Sequence, residues 1–150
     1  MWVMRMGLPL AAAGLGLGAC GGSSSPPSPG APASAPTPDT RMIDADPSFS
    51  TTIQDVFERS SCTSSGCHGS AQAAGLDLRR GASLASLVGV PASSESFPRV
   101  APGDPDNSYL VIKLEGRQSV GSRMPLSRAA LDEIDLTNIR NWIAQGAKDN

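Results

Sequence analysis

The 150-residue chain is poor in several residue types on which folded domains commonly rely. It has one histidine, three cysteines and few aromatic residues (two tryptophans, one tyrosine and three phenylalanines). A folded core must therefore be aliphatic, or something other than side chains must complete it. Twelve Lys and Arg residues against 14 Asp and Glu residues give a net charge of −2, which argues against a nucleic-acid partner. Strand patterns are nearly absent, so we expect an all-α protein.

The first residues lack the long apolar run that would span a membrane. A transmembrane helix needs about 20 consecutive apolar residues, and the run from Gly7 to Ala19 is shorter and interrupted by glycines. Residues 1–19 therefore indicate an export signal. The run ends in Leu17-Gly18-Ala19-Cys20, which resembles the lipobox of bacterial lipoproteins and implies lipidation of Cys20. The alternative is an ordinary secretory signal cut after Ala19. The lipoprotein reading predicts an exported protein, anchored by lipid to a bacterial membrane in the periplasm or at the cell surface.

Residues 20–46 are rich in Ser, Pro and Ala and hold hardly any large apolar side chain. Such a segment buries too little apolar surface to offset the entropy of ordering it. It predicts a disordered tether, either a stalk that holds a domain away from the membrane or a leader without a geometric role.

Residues 47–149 predict one small all-α domain with four helices. Asp46 and Pro47 fit the N-cap and first position of a helix, and apolar residues then recur at helical spacing. The first two predicted helices are 48–60 and 81–88. The third follows Asp104-Pro105 and ends before Gly116. The last begins after Asp132, with Asp135 completing a capping box, and stops near Gly146. The loops 61–80 and 116–131 are long, so the domain should be marginal unless a bound apolar group adds contacts.

The first of these loops contains Cys62-Thr63-Ser64-Ser65-Gly66-Cys67-His68. Two cysteines followed directly by histidine resemble the attachment motif of c-type haem, although the usual motif has two residues between the cysteines. Cysteines five positions apart lie about 140° apart on a helix. The stretch 63–66 must therefore leave helical geometry if both sulfurs are to reach one haem.

Axial ligands follow from elimination. His68 is the only histidine, and after signal removal only Met42 and Met124 remain as thioethers. Met42 lies in the predicted tether, so Met124 is the candidate sixth ligand opposite His68. Pro125 restricts the backbone beside it.

These features resemble the class I c-type cytochromes, in an exported lipoprotein form. The resemblance rests on Cys67-His68-Gly69, Gly75-Leu76-Asp77-Leu78, Arg99-Val100, Pro102-Gly103-Asp104-Pro105, Ser108-Tyr109-Leu110-Val111, Arg123-Met124-Pro125 and Ile139-Arg140-Asn141-Trp142-Ile143. It implies a cytochrome c-like fold whose first and last helices pack across each other, one covalent haem c, and redox partner proteins. The protein would be an electron carrier rather than an enzyme.

Further roles follow from the haem hypothesis. Arg99 and Arg123 could pair with the haem propionates or be solvated surface charges. Tyr109 and Trp142 are expected in the core or against the haem.

Two other functions remain open at this point. Cys62 and Cys67 could form a disulfide in a non-redox lipoprotein that binds another protein. Alternatively, a haem sensor or enzyme would result if Met124 left the sixth position open. A structural zinc site is weaker, because it needs four ligands and the domain offers two cysteines and one histidine.

Overall fold

A computed structural model describes residues 39–150. Within this range the chain is a small domain of helices and loops, as the sequence predicts. A π-helical turn (Phe49–Ile53) leads into α1 (Gln54–Arg59), and a 3₁₀ turn (Ala73–Gly75) precedes α2 (Ser83–Leu87), α3 (Tyr109–Glu115) and α4 (Glu133–Ala144). The described residues form no strand, only the isolated bridges Val88–Val100 and Pro91–Pro98. The export signal 1–19, Cys20 and the tether as far as residue 38 lie outside the described residues.

The first helical segment occupies 49–59, close to the predicted 48–60, but its predicted cap is wrong. Ser48, not Asp46, occupies the N-cap position, without a side-chain capping bond. The free N–H groups of the first turn bind the far end of the chain instead. Phe49 N donates to Asn150 Oδ1 at 2.9 Å, and Ser50 N donates to the Asn150 carbonyl at 3.0 Å. A tertiary contact thus satisfies the donors that a local cap would otherwise cover.

The third helix also starts later than its cap signal suggests. Asp104 accepts a hydrogen bond from Asn107 N at 3.2 Å and so closes a turn that precedes α3. Ser108 occupies the N-cap position, and the N–H groups of Tyr109 and Leu110 donate to carbonyls of the 98–99 segment. Gly116 ends α3 with a φ of 78°, the left-handed conformation that glycine adopts most readily.

The last helix follows its sequence signals. Asp132 is the N-cap, and its carboxylate accepts a hydrogen bond from Asp135 N at 3.0 Å. The Asp135 carboxylate, predicted to complete a capping box, instead lies between Arg41 and Arg59 and forms ion pairs with both. Asp135 therefore ties α4 to α1 and to the segment before it.

The core lies between the first helical segment and α4. The Phe49 and Trp142 rings meet with centroids 5.0 Å apart and planes tilted by 34°. Trp142 is 1% exposed, and its indole N–H donates to the Lys148 carbonyl at 2.9 Å. Aliphatic side chains complete this core: Ile53, Val56, Val100, Val111, Ile139 and Ile143.

The folded unit begins before the boundary that composition suggests. Residues 39–46, assigned to the tether from sequence, run along α4. Asn138 binds both neighbours of Ile43, donating to the Met42 carbonyl at 3.0 Å and accepting from Asp44 N at 2.8 Å. Asn141 donates to the Asp44 carbonyl at 2.5 Å. Residues 39–46 therefore belong to the folded unit.

Candidate functional site

A cavity of about 310 Å³ opens beside the core, within the size range of small-molecule and cofactor sites. Its walls are mostly aliphatic or aromatic, and several of the wall residues also belong to the core. These include Phe57, Leu78, Leu87, Leu114 and Ile139, and the partly buried Leu76 packs against them. The interior can therefore exclude water from a bound apolar group.

The two cysteines of the predicted haem motif both line this cavity. The chain leaves α1 in a series of turns, and Cys62 N donates to the Phe57 carbonyl at 2.9 Å. Residues 63–66 are therefore not helical. Both cysteines are free thiols, and no disulfide joins Cys62 to Cys67. Burial raises the pKa of the Cys62 thiol to about 11, whereas Cys67 is exposed.

Gly69, the residue after the motif histidine, has a role that sequence reasoning missed. A Cβ atom at this position would clash with the Thr63 carbonyl oxygen and would lie 2.8 Å from that of Ser64. No side chain fits there, so only glycine lets the 63–66 turn fold back against the residue beside His68. The sequence feature that could have indicated this role is the position of Gly69 directly after Cys67-His68.

His68 lines the same cavity, with its ring oriented by the backbone. Nδ1 lies 3.0 Å from the Ala73 carbonyl oxygen. A carbonyl can only accept, so Nδ1 carries the proton and Nε2 keeps a free lone pair. Burial lowers the pKa of His68 below its ordinary value, which favours the neutral, ligand-competent ring.

Met124 reaches the cavity from the loop that follows α3. Its N–H donates to the Lys113 carbonyl at 2.9 Å, and its half-buried side chain packs against the core. The buried Pro125 follows it in the chain. Met42 has a side chain that is 74% exposed and is not among the residues that line the cavity.

Among the described residues that line the cavity, the charged side chains are all cationic: Arg99, Lys113 and Arg128. Sequence reasoning named Arg99 but missed the other two, which carry no motif of their own. Arg123, its other candidate, lies outside the lining. It donates instead to the carbonyls of Met124 at 3.1 Å and Arg128 at 2.9 Å.

The two aromatic candidates, Tyr109 and Trp142, lie in different parts of the domain. Tyr109 lines the cavity, and burial together with the negative charge of Glu95 raises the pKa of its hydroxyl. Trp142 belongs to the core against Phe49 and is not a lining residue.

The donor set suits an extended group better than a bare metal ion. Within residues 39–150, no three His, Cys, Asp or Glu side chains come close enough together to hold a metal ion. Two thiols, an imidazole and a thioether nevertheless line one cavity, with apolar walls between them and cations beside them. Side chains of these types serve as attachment points and ligands for iron cofactors in proteins.

In the described part of the chain, no helix has both the length and the apolar character needed to cross a bilayer. Comparison with known protein families, curated proteins and solved structures finds no match to this chain.

Proposed function

We propose that this protein is an exported c-type cytochrome, tethered by a lipid on Cys20, that passes single electrons between redox partner proteins through one covalent haem c. The observation that carries the proposal is the cavity. The two cysteines and the histidine of one loop line it together with Met124 of another loop far along the chain.

Different residues would attach the cofactor and ligate its iron. Cys62 and Cys67 would bind it covalently, and His68 and Met124 would ligate its iron. A bound haem supplies reversible one-electron chemistry at iron. The Ala73 carbonyl orients the His68 ring and fixes its tautomer, as hydrogen-bond partners of metal-ligating histidines usually do. As a ligand, the thioether of Met124 would favour the reduced state.

The cations at the cavity suit the acidic edge of a porphyrin. Arg99 donates to the carbonyls of Ser86 at 2.8 Å and Ala74 at 3.0 Å, so its guanidinium is held at the cavity. Arg128 and Lys113 add positive charge without a neighbouring carboxylate in the lining. Carboxylates of a bound ring would pair with these groups.

The finer assignment of the fold as cytochrome c-like belongs to the same proposal. It is supported by the order of the helices and by the packing of the first helical segment on the last helix. Location in the periplasm or at the cell surface rests on the N-terminal sequence alone.

The test is expression of the full chain with a c-type haem maturation system. We expect a coloured protein whose mass exceeds that of the processed polypeptide and its acyl groups by one haem. Cys62→Ala/Cys67→Ala should be colourless. A colourless wild type would overturn the proposal, and a Cys62–Cys67 disulfide in it would favour a protein-binding lipoprotein domain.

A matched pair of methionine variants tests the sixth ligand. Met124→Ala should keep the haem but bind carbon monoxide rapidly when reduced, whereas Met42→Ala should behave like the wild type. Rapid binding by the wild type itself would instead favour a haem sensor or enzyme with an open coordination site.

A further inference from the structure

A single carboxylate joins the two loops that border the cavity. Glu95 Oε1 accepts hydrogen bonds from two consecutive backbone N–H groups, that of Ser119 at 2.9 Å and that of Val120 at 3.3 Å. The Glu95 side chain is half-buried, whereas Ser119 and Val120 are exposed. The contact is charge-assisted and directional, which makes it stronger than an ordinary surface hydrogen bond.

Both of the joined loops contribute to the cavity wall. Ser93 and Ser94, directly before Glu95, line it on one side, and Met124 lines it from the loop that contains Ser119 and Val120. The Glu95 contact thus spans from one wall of the cavity to the loop that carries the candidate sixth ligand.

Lys113 holds the other end of that loop. Its ammonium donates to the Ser122 carbonyl at 2.6 Å, and its own carbonyl accepts from Met124 N at 2.9 Å. Lys113 belongs to α3, so these bonds tie the stretch next to Met124 to a rigid element. The stretch around Ser119 and Val120 depends on Glu95 for its attachment.

The same loop carries a polar atom that is better satisfied when the loop opens. The side-chain oxygen of Gln118 is enclosed without a hydrogen-bond partner among the described residues. Enclosing such an atom opposes closure, because water would bind it in the open state. The Glu95 contact therefore favours the closed loop, and the unpartnered Gln118 oxygen opposes it.

We propose that Glu95 is a positioning residue that keeps the 117–124 loop closed and so holds Met124 at the cavity. This inference rests on the proposed haem function. Glu95 is not among the residues that line the cavity. It would act through its hydrogen bonds to the loop backbone and so set how often the thioether leaves its position.

Two substitutions should move loop opening in opposite directions. Glu95→Gln retains a neutral acceptor and should speed opening about fivefold, because the charge assistance is lost. Gln118→Met has similar length and removes both the enclosed oxygen and the long bond from Gln118 Nε2 to the Gly121 carbonyl at 3.4 Å. Because the unpartnered oxygen costs more than so long a bond contributes, the variant should slow opening. Glu133→Gln, at an exposed carboxylate in the first turn of α4, serves as the control and should change nothing.

The experiment uses the full, haem-loaded, oxidised chain and two readouts. One is the rate at which added imidazole replaces the thioether, a step in which a sulfur–iron bond breaks, a nitrogen–iron bond forms and no electron moves. The other is amide hydrogen exchange at Ser119 and Val120, which reports the contact itself.

We expect both rates to rise in Glu95→Gln and the imidazole rate to fall in Gln118→Met. Unchanged exchange in Glu95→Gln would overturn the contact, and faster exchange with an unchanged imidazole rate would overturn its link to Met124. A colourless wild type would overturn the proposed function and with it this role, whereas coloured protein with unchanged rates would overturn the inference alone.

Discussion

The two halves of the domain are built on different principles. In the half formed by the π-helical turn, α1 and α4, side chains fill the interior, and the Phe49–Trp142 pair anchors it. In the half formed by the loops after α1 and after α3, the walls are apolar but enclose a cavity. One half is filled by its own side chains, whereas the other borders an apolar cavity.

This difference explains how a chain with so few aromatic residues can fold. Among the described residues, Phe49 and Trp142 pack together where the two ends of the domain meet, whereas leucines form much of the cavity wall. A rigid apolar cofactor would complete the second half in the way that Trp142 completes the first.

Removing the attachment cysteines should have the largest effect. Cys62→Ala/Cys67→Ala should leave helical far-ultraviolet circular dichroism but lose the near-ultraviolet signal and the sharp melt, because the cavity half stays unfilled. Thermal melts of the full chain, with Ser64→Ala as the control, check this. A cooperative melt like that of the wild type would show that the cavity half is stable when empty.

Truncating the anchor of the other half should come next. Trp142→Ala removes a side chain that is 1% exposed and should lower the free energy of unfolding by about 3–5 kcal/mol. Leu126→Ala, at a cavity residue that is 59% exposed, should cost under about 0.5 kcal/mol. Urea denaturation compares them, and equal costs would contradict the contrast between the halves.

The Asp135 ion pairs should contribute less than the core. Its side chain is 6% exposed, but Arg41 and Arg59 are each 31% exposed and can be rehydrated. Asp135→Asn should therefore cost about 1–2 kcal/mol, below the range for fully buried pairs. Asp55→Asn, which removes only the exposed partner of Arg59, should cost under about 0.5 kcal/mol. Indistinguishable unfolding midpoints for the two variants would contradict this ranking.

Apart from the control variants, the smallest effect is expected at the cap of α4. Asp132→Ala should cost about 0.5–1 kcal/mol at neutral pH, because the side chain is partly exposed. The hydrogen bond from Asp135 N lowers the pKa of Asp132, so its contribution is complete above the unfolded value near pH 4. It should disappear as the pH falls through the lower folded pKa. Unfolding measured from pH 7 to pH 2 checks this, and a difference from wild type that persists in acid would count against it.

Short-range patterns predicted much of the fold. Apolar spacing located all four helices, and Asp132 and Gly116 were recognised as helix ends because their effects act within one turn. The failures at Asp46 and Asp104 share a cause. In both cases the N–H groups that need partners find them in distant segments, Asn150 and the 98–99 carbonyls. Local cap signals carry no information about such partners.

The residues of the candidate site likewise form two groups, those that the sequence alone identified and those that only the structure reveals. Cys62, Cys67 and His68 lie within one stretch of seven residues. Met124 followed by elimination, so residue identity and local spacing selected all four. Lys113, Arg128 and Glu95 have no motif, and only the tertiary structure brings them to the cavity or to the loop that borders it.

Residue types and local spacing thus established an all-α domain and the chemical identity of its candidate ligands, because helix periodicity and donor chemistry act over a few residues. The meeting of those ligands at one cavity, the attachment of residues 39–46 to α4 and the contact between the two loops depend on segments far apart in the chain. Such contacts exist only after the aliphatic core has determined the path of each loop, so tertiary structure alone could decide them.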